Sequence, residues 1–409
     1  MRLGVAALAA SILFGAGPVL ADPSPDAPPS MAEISAYTRY ELLAPGSGRF
    51  RILYEVTQTR AGARHFFNPI RKGSVSTDET VTDLASGKPL HFEIVDGKVA
   101  RAEEPDADPG SQYIQVDLAR PVPKDGEGRM LIDKTYADAT SYFVDRGDIV
   151  FSRPLGVKRN GVVLPKGYRL VSSNYPAQVI EEADGRVMVS FWNATPTSAP
   201  VIVRARPGAP EASAPSAVKL SERARQDLAI TYFLQQPETH AFDLFHDLTE
   251  TRTGMDHHIN VVRSGSKASN PAARILDTGE ELKPEPIHGA AAIAAARLDP
   301  TQLPEKLEAD GDVIVFRFQP LKPKESVRLR ISETYTDPER YKIVDGQLYW
   351  HRSFGRAADA MVLPKGWVLT NCSIPATVSE TDDGRTRLDF INGRPDEIDV
   401  VVTARRAPA

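Results

Sequence analysis

From Phe50 to Thr57 apolar and polar positions alternate, with Phe50, Ile52, Tyr54 and Val56 on one face and Arg51, Leu53, Glu55 and Thr57 on the other. Period two with one apolar face predicts a half-buried strand. The pattern returns at Phe242, Leu244, His246 and Leu248, set against Asp243, Phe245, Asp247 and Thr249. Further short runs predict strands at 114–118, 130–132, 148–152, 161–164, 169–172, 178–182, 186–191 and 200–206, and again at 377–381, 385–390 and 397–405. Asp184-Gly185 and Asp383-Gly384 carry the signal of two-residue hairpin turns. Leu164-Pro165-Lys166-Gly167 and Leu363-Pro364-Lys365-Gly366 fit type I turns. Phe50, Phe242, Val179, Val378, Phe191 and Phe390 are core candidates. Helical pattern is confined to 218–226 and to the alanine-rich 290–296. Connections too short for helical crossovers favour antiparallel pairing. The prediction is an all-β chain of two tandem antiparallel β-sandwich domains.

Tandem arrangement follows from an internal repeat. A shift of 192 residues lays Thr57-Gln58-Thr59-Arg60-Ala61-Gly62 on Thr249-Glu250-Thr251-Arg252-Thr253-Gly254, His65 on His257, and Asn68 on Asn260. A shift of 199 lays Tyr136 on Tyr335, Tyr142 on Tyr341, Arg153 on Arg352, and each Leu-Pro-Lys-Gly and Asp-Gly-Arg on its double. The seven-residue difference falls in the loop 98–112 of the first copy and 290–311 of the second. The expected layout is a signal peptide at 1–21, a flexible segment at 22–35, one sandwich at 36–206, a linker at 207–226 and a second sandwich at 227–406.

The first residues change the compartment. Met1-Arg2, an apolar run from Leu3 to Ala16, Gly17-Pro18 and Val19-Leu20-Ala21 form the pattern of a cleaved bacterial secretory signal. The apolar run is too short to span a bilayer, and no later segment reaches that length. A periplasmic or secreted protein without an integral membrane segment is expected. The formal charge of −5 and pI near 6 nominate neither nucleic acid nor an anionic membrane as partner. A single cysteine, Cys372, rules out an internal disulfide framework and any cysteine-rich zinc site. Ser173 stands at its place in the first copy, which makes it a packing residue.

Chemistry is sought among polar residues present in both copies: Arg60 and Arg252, His65 and His257, Asn68 and Asn260, Tyr136 and Tyr335, Tyr142 and Tyr341, Arg153 and Arg352. Arg makes bidentate contacts and Tyr stacks, so such a set can hold a carboxylate, a sugar or a peptide. The same residues can instead cap carbonyls and tie loops to the sheet; both readings stand. Asp256-His257-His258, with His240, His246 and His351, has the residue types of a zinc site. Adjacent histidines on an extended segment point to opposite faces, so no metal or cofactor is expected. No nucleophile elbow, zinc-peptidase or phosphate-loop motif is present.

Ile230-Thr231-Tyr232-Phe233-Leu234, followed by Pro237-Glu238-Thr239-His240-Ala241-Phe242-Asp243-Leu244, resembles the opening of the N-terminal β-domain of M61-type aminopeptidases, and Tyr40 to Ile52 is a poorer version. The resemblance implies a β-sandwich that positions a substrate. The zinc motif that carries those enzymes' activity is missing, so no catalytic residue transfers. The expected function is an exported, non-catalytic tandem protein that binds an envelope or extracellular protein or glycan. The alternative is an exported hydrolase or lyase acting on peptide or polysaccharide, with its site in the second copy or at the domain junction.

Overall fold

The computed structural model describes residues 35–408 apart from 196, 209–218, 263–264, 290 and 292–311. The signal pattern, most of the 22–35 segment, the central part of the linker and all but one residue of the alanine-rich run lie outside the described residues. What is described is nearly all strand, in multiple sheets stacked as sandwiches.

In the first half a seven-stranded sheet runs Gln178–Glu181, Val187–Trp192, Arg159–Val163, Tyr37–Leu42, Arg49–Gln58, Gly128–Ala137, Val75–Asp83. A four-stranded sheet runs Tyr168–Ser173, Ala199–Pro207, Asp148–Leu155, Tyr142–Asp145. A three-stranded sheet runs His65–Ile70, Gln112–Asp117, Phe92–Asp96. The second half has an eight-stranded sheet in the order Glu281–Leu282, Lys267–Ile275, Val327–Thr336, Ala241–Glu250, Leu228–Leu234, Ala358–Val362, Thr386–Ile391, Thr377–Glu380. Its smaller sheets are Tyr341–Val344, Gln347–Phe354, Ile398–Arg406, Trp367–Cys372, and His257–Val261, Asp312–Arg317, Pro284–His288.

Alternation decides how these sheets stack. Phe50, Ile52 and Val56 point to one face and are buried. Phe50 and Ile52 pack with Phe151, Val201 and Val203 of the four-stranded sheet. Val56 packs with Val81, Met130 and Ile132 and with Ile114 and Val116 of the three-stranded sheet. Both small sheets therefore lie side by side on one face of the large one. The seam between them falls at Lys134 and Tyr136, inward-facing positions of Gly128–Ala137. Burying each large apolar side chain contributes about 1.5–3 kcal/mol.

Four expectations change. Tyr37–Leu42 pairs in parallel with Arg159–Val163, and Leu228–Leu234 with Ala358–Val362. These strands are far apart in sequence, and the intervening sheets supply the long crossover that parallel pairing requires. Gly167 has φ +82° and Gly366 φ +83°, at the third position of turns closed by Tyr168 N–H to Pro165 and Trp367 N–H to Pro364. A positive φ there belongs to type II, not type I. Val179 and Val378 are 47% and 55% exposed, because they stand on edge strands rather than in the core. Residues 223–225 form a turn instead of a helix.

Candidate functional site

The seam collects most of the polar residues common to both halves. Arg153 leaves Asp148–Leu155 and donates to Asp138 at 3.0 Å and to Ser141 at 3.2 Å, with its guanidinium over the rings of Phe50 and Tyr136. Ser74 donates to the same carboxylate at 3.2 Å. Arg352 meets Asp337 at 2.8 Å, Ser266 joins at 3.0 Å, and the rings are Phe242, Tyr335 and Tyr232. Hydroxyl and backbone donors around Asp138 hold its carboxyl far below the usual range despite desolvation. Tyr142 donates to the Leu43 carbonyl at 3.0 Å, and Tyr341 to the Gln235 carbonyl. Tyr136, Tyr335 and Arg352 are buried, so these groups tie loops to the sheet.

Asn68 and Asn260 sit at the seam's other end with different partners. Lys134 Nζ donates to Asn68 Oδ1, whereas Asn260 Nδ2 donates to Glu333 Oε2 at 2.7 Å. Lys134 and Glu333 occupy the same place under the 199-residue shift, so a buried ammonium in one half replaces a buried carboxyl in the other. Burial pushes Lys134 down to about 7 and Glu333 up to about 7.

Arg60 and His65 lie outside the seam, on the rim of the three-stranded sheet. Arg60 donates to Glu104 at 3.2 Å, and His65 Nδ1 lies 2.6 Å from Glu103. His65 Nε2 stands 3.7 Å from Asp117, whose other oxygen is 3.0 Å from His91 Nδ1. Imidazoles and carboxylates thus alternate along the sheet's rim, from His91 just ahead of Phe92–Asp96 through Asp117 and His65 to Glu103 in a turn, with the Arg60 side chain 46% exposed at one end. In the second half Arg252 turns back on Glu250, and His257 Nδ1 lies 2.5 Å from Asp256. Arg317 replaces Asp117 beside His257, pairing with Glu285 at 3.0 Å. His246 and His258 stack edge to face at 5.8 Å, away from Asp256. Among the described residues no three His, Cys, Asp or Glu side chains are grouped to hold a metal ion. None of the described helices is long and apolar enough to cross a membrane.

A third polar centre lies between the halves, among residues the sequence did not single out. Arg129 forks onto Asp277 at 2.7 and 3.0 Å, both side chains only 5% exposed. Arg328 meets Asp227 at 2.6 Å, Arg159 meets Asp227 at 3.3 Å, and Arg330 meets Asp247 at 2.8 Å. Glu127 stands 3.8 Å from Arg328 and is pushed up to about 7 by burial. Asp83, Arg120, Glu127, Arg129 and Asp277 line a small recess here. Arg129 and Arg328 coincide under the 199-residue shift, which was the available signal, but they precede the well-matched stretch.

No protein-family model matches the chain, and no curated protein sequence matches it. Among solved structures, an M1 zinc metallopeptidase from Deinococcus radiodurans aligns at 12% identity and TM-score 0.28, over 42% of this chain and 41% of that one. An aminopeptidase N family protein from Idiomarina loihiensis aligns at 9% identity and TM-score 0.26, over 49% and 31%. A collagen adhesin from S. aureus aligns at 8% identity and TM-score 0.16, over 76% and 81%. The chain spans less than half the length of the two peptidases. These likenesses are weak and carry no argument about chemistry.

Proposed function

We propose that the chain is an exported, tandemly duplicated, non-catalytic β-sandwich protein that binds a protein or glycan of the bacterial envelope or extracellular space. The observation that carries this is the partly exposed row of His91, Asp117, His65, Glu103 and Arg60 along the rim of the small sheet of the first half, with His65 and Asp117 on its strands and the others in adjoining loops. Alternating donors and acceptors on a rigid strand platform suit a ligand rich in hydroxyl or amide groups. The test is retention of glycan and peptide panels by the mature chain and by variants. Arg60→Ala is expected to weaken retention about tenfold, the loss of roughly one charge-assisted hydrogen bond, with the melting temperature nearly unchanged. Unaltered retention, or a large loss of stability, overturns the assignment of the row.

The recess at the junction favours a second reading, an exported hydrolase or lyase acting on peptide or polysaccharide. A carboxyl titrating near neutrality beside arginines has the character of a general acid. Assaying both substrate classes from pH 5 to 8, with and without chelator, tests it. Turnover abolished by Glu127→Gln supports this reading; activity in neither class sinks it.

A further inference from the structure

The surfaces that join the halves come from equivalent places in each. On the first half they are residues 84–87 and 123–129; on the second they are 276–279 and 322–328, related by the same shifts of 192 and 199. Glu127 N–H donates to the Leu276 carbonyl at 2.8 Å, and Ser326 N–H, at Glu127's equivalent place, donates to the Ala85 carbonyl at 3.1 Å. Ser326 Oγ reaches the Leu84 carbonyl at 2.6 Å, and Leu84 is the counterpart of Leu276. A Cβ on Gly87 would lie 2.6 Å from the Lys324 carbonyl, while its counterpart Gly279 faces Pro123 in the corresponding loop. Arg129 pairs with Asp277 across the boundary, and its counterpart Arg328 faces Glu127 back across it.

The apolar part of the junction obeys the same rule. Tyr37 and its counterpart Ala229, and Trp192 and its counterpart Ile391, meet in one cluster with Ala224, Ala357 and Ala358. Contacts that reciprocate in this way define an isologous interface, the form made by a twofold homodimer. Departures from symmetry are also specific. Large Tyr37 and Trp192 lie against small Ala229 and Ala358, and Asp277 stands where the first half has Ala85.

We infer that the halves are joined by a self-complementary, pseudo-twofold dimer surface whose fitting partner is the other copy of the same unit, and that this surface, not the covalent connection through residues 209–218, holds them together. This rests on the reading of the halves as tandem copies. The experiment uses the full mature chain with a protease site placed within residues 209–218. After cleavage the two fragments are expected to co-elute on size exclusion at about 1 μM, which requires a sub-micromolar dissociation constant. Asp277→Ala is expected to raise the fragments' dissociation constant by at least about tenfold. Arg129→Ala combined with Asp277→Ala should lose less than the sum of the two single changes, because both remove the Arg129–Asp277 pair. Ser326→Ala, which deletes the two crossing bonds of its hydroxyl, one donated to the Leu84 carbonyl and one accepted from Arg129, gives a second shift should Asp277→Ala fail to fold. Wild-type fragments that part on cleavage overturn the inference, as do additive losses. An experimental structure in which residues 35–208 and 219–408 fail to superpose would instead overturn the reading of copies. Superposable halves that part on cleavage overturn the interface alone.

Discussion

At the scale of single residues, Lys134 and Glu333 give two predictions of opposite sign. Lys134 is a base whose folded pKa lies near 7, against 10.5 when free. Between those values the unfolded chain holds a proton that the folded chain lacks, so this residue makes stability rise as pH increases from 7 to 10.5. Lys134→Met should remove that rise and stabilise the protein at pH 7 by on the order of 2 kcal/mol, after allowance for the lost Asn68 bond. Glu333 is an acid raised from 4.5 to about 7, so its contribution is present below pH 4.5 and lost as pH climbs to 7. Glu333→Gln keeps an acceptor for Asn260 and removes one carboxyl's share of that fall. Glu127 and Asp359, also raised to about 7, keep theirs. Urea unfolding at intervals from pH 4 to 10 checks both; identical slopes in wild type and variants would refute the buried titration. Arg352→Ala is the harsher change. It leaves the fully buried Asp337 without its main cation and should cost about 3–5 kcal/mol, measurable as a fall in the urea midpoint.

At the scale of elements, the alternation of apolar residues located the strands, and the register of the large sheets bears it out from Phe50 to Val56. It could not distinguish a central from an edge strand, because both show period two. Val179 and Phe191 read alike in sequence, yet Val179 lies on an outermost strand and Phe191 is 4% exposed. Val179→Lys and Val378→Lys should therefore change stability by no more than about 0.5 kcal/mol, whereas Phe191→Ala should cost about 3–5 kcal/mol. Thermal melts of the three variants decide it, and a comparable loss in all three would return the valines to the core. Parallel pairing was equally hidden, since the two partner strands never adjoin in the chain. The polar pairs were legible as residues but not by role. Arg153 and Arg60 each recur in the second half, and only the three-dimensional setting sends one into a seam beneath two sheets and the other to a rim.

At the scale of the whole molecule, the repeat pointed to two sandwiches, but the only sign of the buried ions between them was the coincidence of Arg129 with Arg328, which lies ahead of the well-matched stretch. Arg129, Arg159 and Arg328 are each 5% exposed or less; Arg129 and Arg159 of the first half meet Asp277 and Asp227 of the second, and Arg328 of the second faces Glu127 of the first. If one half unfolded alone, the surviving half would lose the Arg129–Asp277 and Arg159–Asp227 contacts together and open the cluster around Tyr37 and Trp192 to water. Re-exposing large apolar side chains costs on the order of 2 kcal/mol each, a large fraction of a domain's stability. The halves should consequently melt in a single transition, with calorimetric and van't Hoff enthalpies equal for the full chain. Asp277→Ala should separate that transition into two. Acid supplies an independent route to the same result. The arginines hold Asp227 down to about 2 from 3.8, so its stabilisation is complete above pH 3.8 and disappears as pH falls through 2. Because Arg159 of the first half is one of those arginines, scanning calorimetry should show one transition at pH 5 and weaker coupling near pH 2. Two transitions already at pH 5 in the wild type would mean that the junction ions do not couple the halves.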